Sequence, residues 1–496
     1  MIMKLYFKKW TRKSFVVFAF FSTLVFSVSC GKSFLEEAPR TVTIQDLINN
    51  PDDGAQKMIG AIYNQLYSWQ QHSFSWIGIT SISSDNADKG SDPGDTGADK
   101  HQMDNWTFNS SGISFNEVWE SNFNGIGRAA YALKFLPDMD LLPQDRDRYA
   151  GEAKLLRAYF YFNLVRTFGG VPKIDKVLES QEEIEAASVK KTAAEIYAFI
   201  EEDLNDAVIK LPPVIPNAER GRVSKGAAQA LLAKVYLYQQ KWGQSKGMVD
   251  AVIASGQYSL HPQYEMIFRE DGEFSAESIW EVNAIGTTPN KGVEGYFVVQ
   301  APRGGGGLGW GFNTPSADLA NAYEPNDLRK AATIMFAGDT LWDGFIINPA
   351  APNPRYNYKS YVSKTEETFN GDDWNSNKNY RIFRYGEVLL IKAEVENELN
   401  NITAAQDALN EVRTRAGLPN TTAATKDDLR QAIWKERRVE LAMEHDRMFD
   451  LRRTGRAAAV LQALGINYIT PRHDLFPIPQ IQINRSNGKL IQNFDY

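Results

Sequence analysis

The stretch SKGAAQALLAKVYLYQQKWGQSKGMVDAVIASG, residues 224–256, carries two helical signals in succession. Ser224 stands where an N-cap belongs, since a serine hydroxyl can accept from the free N–H groups of a first helical turn. The alanines and leucines that follow are strong helix formers. A tight turn at Gly243 separates this helix from a second, which Gly256 ends. Residues 385–417, YGEVLLIKAEVENELNNITAAQDALNEVRTRAG, repeat the length and the layout, with Thr403 as the expected cap of the second helix and Gly417 as its stop.

Two helical hairpins of this size resemble tetratricopeptide units of about 34 residues. A hairpin of that kind cannot bury its apolar face alone, so units stack on one another into a scaffold. The expected fold class is mainly α: tetratricopeptide-like helix pairs forming a scaffold, with long loops and a few short strands. Further helices are expected over 54–69, where Met58, Ile62 and Leu66 share one face, and over 145–172, which is apolar almost all round. Another opens at the capping box Thr192–Glu195, and a last one spans about 426–452. Between these lie two stretches of different character. Residues 70–112 are rich in Ser, Asp, Gly and Asn, and 257–380 hold Gly304 to Gly307 and many prolines. They are expected to be the loops that carry a ligand site.

The N-terminus reads as an address. Lys4, Lys8, Lys9, Arg12 and Lys13 precede an uncharged apolar run over 14–29, shorter than the roughly 20 residues of a membrane span. Cys30, the only cysteine, follows at once. One thiol makes no intramolecular disulfide and holds no metal alone. The expectation is a lipoprotein signal peptide over 1–29, cleavage before Cys30, acylation of Cys30 and a lipidated tether over 30–53, leading to a single helical domain over 54–496. Loss of the signal moves the formal charge from −7 to −12, and an acidic chain is a poor nucleic-acid binder.

No metal-protease, nucleophile-elbow or phosphate-loop motif occurs, and RGGGGLGWG, 303–311, lacks the strand and helix of a dinucleotide fingerprint. An EF-hand beginning at Asp88 would place Pro93 where glycine is obligatory, so no metal site is assigned and no cofactor is expected. The glutamates 436, 440 and 444, interleaved with Arg437, Arg438 and Arg447, read as a salt-bridged helix. Tryptophan is the informative residue. Trp119, Trp242 and Trp434 lie on helices and are expected in the core, whereas Trp76, Trp106, Trp310, Trp342 and Trp374 lie in loop-like segments beside Gly, Asn and Asp. Sugars present flat C–H faces to aromatic rings and hydroxyls to amides and carboxylates. The expected ligand site pairs Trp76 with Trp310, with Asp85 and Asn86 as polar contacts and Trp342 and Trp374 as further candidates.

Several stretches together resemble the SusD/RagB family of outer-membrane nutrient-binding lipoproteins. They are SFLEEAP and AIYNQLY near the start, EAKLLRAYFYFNLVRTFGGVP at 152–172, GWGFNTPSADLANAYEPNDLRKAATI at 309–334, RYGEVLLIKAEVENEL at 384–399, ERRVELAMEHDRMFDLRRTG at 436–455, and the terminal LFPIPQIQINRSNGKLIQNFDY. The resemblance implies a helical scaffold, cell-surface binding of a glycan or another oligomeric nutrient without catalysis, and delivery to a partner TonB-dependent transporter of the SusC type. It transfers no site residue, because family ligand sites are built on variable loops. A glycoside hydrolase on a helical scaffold and a protein-interaction scaffold without small ligand remain the alternatives.

Overall fold

The computed structural model describes residues 43–92, 94–95, 97–287, 292–303, 309–369 and 374–496. The expected signal peptide, Cys30, most of the tether and the glycine run 304–307 lie outside the described residues. The described residues of a first unit, reaching to Asn50, include the short helix Ile44–Asn49, opened by a capping box between Thr43 and Asp46. The second unit, Pro51–Tyr496, is the body of the protein.

The principal helices of the body are α1 (Pro51–Asn64), α2 (Ile113–Phe135), α3 (Pro143–Phe168), α4 (Ala193–Lys210), α5 (Lys225–Tyr238), α6 (Trp242–Ala254), α7 (Tyr385–Glu398), α8 (Ile402–Arg415), α9 (Lys426–Glu440) and α10 (Arg447–Arg453). From α2 to α8 each packs on the next in chain order, and α9 closes on α7 and α8. The central α3 is buried on nearly every side from Leu155 onward, as its all-round apolar sequence requires. It stops at Gly169, whose positive φ of 73° suits glycine.

The two helical pairs share one turn geometry. Gln240 and Asn400 take the left-handed conformation at equivalent positions, and Lys241 and Asn401 donate back to the carbonyls of Tyr236 and Glu396. Each first helix therefore ends in a Schellman-type closure, and Gly256 and Gly417 follow the second helices, both with positive φ. The turn lies at 239–241, not at Gly243, which sits inside α6 without strain. Thr403 is likewise inside α8, whose cap position is Asn401. Ser224, in contrast, caps α5 by accepting from the Ala227 N–H, and Thr192 and Glu195 form the expected box on α4.

The expected helix over 426–452 is two helices. The chain leaves α9 after Glu440, and Met443 and His445 both adopt positive φ before α10 begins. The physical reason is electrostatic. On a continuous helix Glu440 and Glu444 would stand one above the other. The break lets Glu444 reach Arg384 (2.7 Å) and Lys359 (2.6 Å), and Asp446 reach Arg166 (2.7 Å) and Lys234 (3.1 Å). Glu440 stays at the centre of a buried cluster, accepting from Arg384 (2.5 Å), Arg415 and Arg329 (3.0 Å). Burial alone would raise its carboxyl, yet Arg415, Arg384 and Arg329 hold it far below the usual carboxylate range.

The loop-rich stretches contain short antiparallel strand pairs. These are β1 (Ala87–Gly90) with β3 (Phe312–Pro315), β2 (Ser278–Val282) with β6 (Tyr380–Arg384), and β4 (Ile334–Phe336) with β5 (Arg355–Asn357). The β1–β3 register, Ala87 opposite Pro315 and Gly90 opposite Phe312, joins the first loop region to the second.

Candidate functional site

That junction gathers a cluster of half-buried aromatic rings. Trp69 opens a short helical turn, Trp69–His72, and Phe74 opens the next, Phe74–Ile77. Trp310 directly precedes Gly311 and β3, and Trp374 lies before β6. Trp69 and Trp374 stack with centroids 5.0 Å apart and planes 9° from parallel. Trp310 stands 5.6 Å from Trp374 and 5.9 Å from Trp69, inclined by 52° and 58°. Phe74 meets Trp310 edge-on at 6.1 Å and Phe312 at 4.6 Å. Trp69, Phe74, Trp310 and Trp374 are each half-buried, whereas Phe312 is buried.

The backbone holds Trp310 by two bonds: its N–H donates to the Val298 carbonyl (2.8 Å), and the next N–H, of Gly311, to that of Ala301 (3.0 Å). Beside it, Arg303 donates to Asp95 (2.8 Å) and to the Ser91 hydroxyl (2.7 Å). The Ser91 hydroxyl, followed by Arg303, keeps the half-buried Asp95 carboxyl below its ordinary range. Arg303 also donates to the Trp310 carbonyl (3.4 Å), which ties this charged pair to the tryptophan's backbone.

The sequence-predicted site residues separate into two groups. Trp310 and Trp374 come together, although they are 64 positions apart in sequence. Trp76 does not join them. Its side chain is 2 % exposed, packed 5.7 Å from the Phe449 ring, and lines an internal cavity of about 50 Å³ with Tyr159, Tyr380 and His445. Such a space is far below the roughly 300–1,000 Å³ of small-molecule pockets. Asp85 and Asn86 are also interior. Asp85 accepts two bonds of 2.7 Å from the Arg447 guanidinium, and Asn86 accepts from Arg438 at 2.8 Å. Burial would raise the Asp85 carboxyl, but Arg447 and then Arg438 bring it below its ordinary value. Those oxygens fasten the loop to the α9–α10 region and do not face the rings. Trp342 is 47 % exposed, with the Arg269 guanidinium 5.6 Å from its ring, and among the described residues no ring contact joins it to the cluster. Among the described residues no group of three or more His, Cys, Asp or Glu side chains is placed to hold a metal ion, and no helix is long and apolar enough to cross a membrane.

Two family models match the chain. One, described as "Starch-binding associating with outer membrane", matches residues 34–237, and the other, the SusD family, matches 276–496. The chain belongs to the SusD family. Trp69 and Phe74 fall in the first matched region and Trp310 and Trp374 in the second, so the ring cluster is assembled from both. Among curated relatives, SusD-like protein P25 of Formosa agariphila is 25 % identical over 95 % of this chain and 97 % of its own. SusD-like protein P2 of the same organism is 28 % identical over 82 % and 86 %. Among solved structures, a laminarin-binding SusD-like protein superposes with a TM-score of 0.77 at 28 % identity, covering 90 % of this chain and 99 % of that one. Surface glycan-binding protein A of Bacteroides thetaiotaomicron, in complex with laminarihexaose, superposes with a TM-score of 0.77 at 26 % identity, covering 89 % and 99 %. The mainly helical scaffold expected from the hairpin pattern is thus the fold of this SusD-family chain.

Trp69 and Phe74 were not expected in the site. Trp69 ends the apolar run that begins at α1 and therefore reads as the last position of a helix. The available signal was the polar stretch that begins immediately after it, Gln70 to Ser73, which ends the helical period.

Proposed function

We propose that this SusD-family protein is a lipid-anchored, cell-surface glycan-binding protein that captures oligosaccharide at the Trp69, Phe74, Trp310 and Trp374 cluster. It passes the ligand, without catalysis, to a SusC-like TonB-dependent transporter in the outer membrane. The anchor is the acylated Cys30. The single observation that carries the binding assignment is the half-buried ring cluster, with the Arg303–Asp95 pair tied to its Trp310 backbone. Four adjoining, partly exposed rings are the kind of apolar surface that lines ligand-binding grooves. Flat aromatic faces suit sugar C–H faces, and the charged pair supplies hydroxyl partners.

The ring geometry favours a bent chain. Trp69 and Trp374 share one orientation, and Trp310 is inclined by more than 50° to both. A flat, ribbon-like glucan cannot lie against both planes, whereas a chain that curves between residues can. The solved relatives whose names include laminarin and laminarihexaose support the same class. The test is incubation of the purified protein with laminarihexaose, maltohexaose and cellohexaose, followed by affinity electrophoresis and product analysis. Retardation by laminarihexaose without shortened products is expected. Shortened products would overturn the non-catalytic assignment, and equal indifference to all three would overturn the glycan assignment. For the anchor, Cys30→Ser is expected to leave the membrane fraction, and its persistence there after a high-salt wash would refute acylation.

A further inference from the structure

We propose that the dipeptide Glu294–Gly295 is the positioning element of the tryptophan site, fixing both stacked rings from one point; this rests on the glycan-binding assignment. Glu294 carries one tryptophan on each oxygen. The Trp374 indole N–H donates to Oε1 (3.1 Å), and the Trp69 backbone N–H donates to Oε2 (3.2 Å). Charge-assisted bonds of this kind are stronger than neutral ones. The indole bond restricts rotation of the Trp374 ring about its broad, two-fold χ2 torsion. Glu294 also donates its own N–H to the Tyr67 carbonyl (3.1 Å), which ties the residue to the segment that presents Trp69.

Gly295 completes the element. Its N–H donates to the Trp374 carbonyl (2.9 Å), so the tryptophan is held at both main chain and ring. Its φ is 67°, in the left-handed region, and a Cβ built there would overlap the six-membered ring of Trp69. Only glycine lets the indole lie against this backbone. Four contacts from two adjacent residues thus bring together tryptophans 305 positions apart in sequence. Ligand stacking gains most when rings are already held in the bound geometry, since little side-chain freedom is then lost on binding.

The test compares the parent with Glu294→Gln, Glu294→Ala, Gly295→Ala and Trp374→Ala by near-ultraviolet circular dichroism, melting temperature and titration with laminarihexaose. Fixed, coupled indoles give a near-ultraviolet signal that a rotating ring loses. Glu294→Ala and Gly295→Ala are expected to reproduce much of the spectral change seen in Trp374→Ala, to melt within about 2 °C of the parent, and to bind laminarihexaose about tenfold more weakly. Glu294→Gln keeps the side-chain volume and one acceptor but must present an amide N–H to the other donor. It is expected to lose about two- to threefold in affinity and part of the signal, which preserves the test if the alanine variants do not fold. Parental spectrum and parental affinity in the Glu294 variants would overturn the proposal. If Trp374→Ala binds laminarihexaose as the parent does, the glycan-binding assignment fails instead, and the spectra alone still decide whether the dipeptide orients the rings.

Discussion

Replacing Glu440 by glutamine keeps the side-chain volume and removes one charge from the buried cluster between α7, α8 and α9. Three guanidinium groups meet that carboxylate, from Arg384, Arg415 and Arg329, and none has more than 4 % of its side chain exposed. Removing one partner from a buried ion cluster costs about 3–5 kcal/mol, because the remaining charges cannot rehydrate. The lower end applies here. Arg384 keeps Glu277 (2.8 Å) and Glu444 (2.7 Å), Arg415 keeps Glu277 (2.9 Å), and Arg329 keeps Asp327 (2.8 Å) and Glu436 (2.6 Å). For a body of this length the unfolding entropy is about 0.9 kcal/mol/K, so a loss of about 3 kcal/mol lowers the melting temperature by about 3 °C at pH 7. The pH dependence carries the sign. Glu440 has a carboxyl pKa lowered on folding, so its contribution is present above the unfolded value near 4.5 and is lost as pH falls below it. The gap between parent and Glu440→Gln, read by scanning calorimetry, should therefore be constant from pH 7 to 5 and narrow below about 4.5. A variant as stable as the parent at pH 7 would refute the argument, as would a gap that widens in acid.

Two further predictions concern single side chains. Burial raises the Asp104 carboxyl to about 7, against which the Lys89 backbone N–H gives only partial relief. A carboxyl raised on folding favours the native state least at high pH, so the cost of ionising it grows from about pH 4 to pH 7 and is then constant. Asp104→Asn should match the parent near pH 4 and exceed it by about 1–2 kcal/mol at pH 8, after allowance for partial solvent exposure; a gap independent of pH in urea titrations would count against this. Trp76→Ala should lose about 3–5 kcal/mol of stability, as for other buried aromatic truncations, while keeping parental affinity for laminarihexaose. A Trp76 variant of unchanged stability and impaired binding would return that residue to the ligand site.

The scaffold was legible because its signals are local. Apolar periods mark the helices, Thr192 and Ser224 cap two of them, and the two hairpins repeat one pattern that closes at Gly256 and Gly417. The break after α9 was not, since ERRVELAMEHDR has good helical propensity and only distant partners, Arg384, Lys359, Arg166 and Lys234, favour the left-handed turns at Met443 and His445. The same distance effect governs the site. Composition singled out Trp76, Trp106, Trp310, Trp342 and Trp374; of these Trp310 and Trp374 meet in the ring cluster, whereas Trp76 and Trp106 are buried elsewhere. Trp76 has polar neighbours, Ser73 and Ser75, yet the segment folds into successive helical turns from Trp69 to Ile82 that turn its ring inward. Asp85 and Asn86 looked available for hydroxyls, but their partners Arg447 and Arg438 lie more than 350 residues away, beyond any local signal. The role of Glu294 was invisible for the same reason: it joins two tryptophans that meet only in the folded chain.

We propose that the ring cluster binds glycan. Calorimetric titration of laminarihexaose into the parent, Trp310→Ala and Trp374→Ala, with melting temperatures measured on the same samples, tests it most directly. Each of these half-buried rings should contribute about 1–3 kcal/mol to binding, as an aromatic anchor does, and its loss should leave the melting temperature near the parental value. Affinity reduced about fivefold or more in both variants at near-parental melting temperature is the predicted result. Parental affinity in both, or loss of binding only alongside a sharp fall in melting temperature, would contradict it.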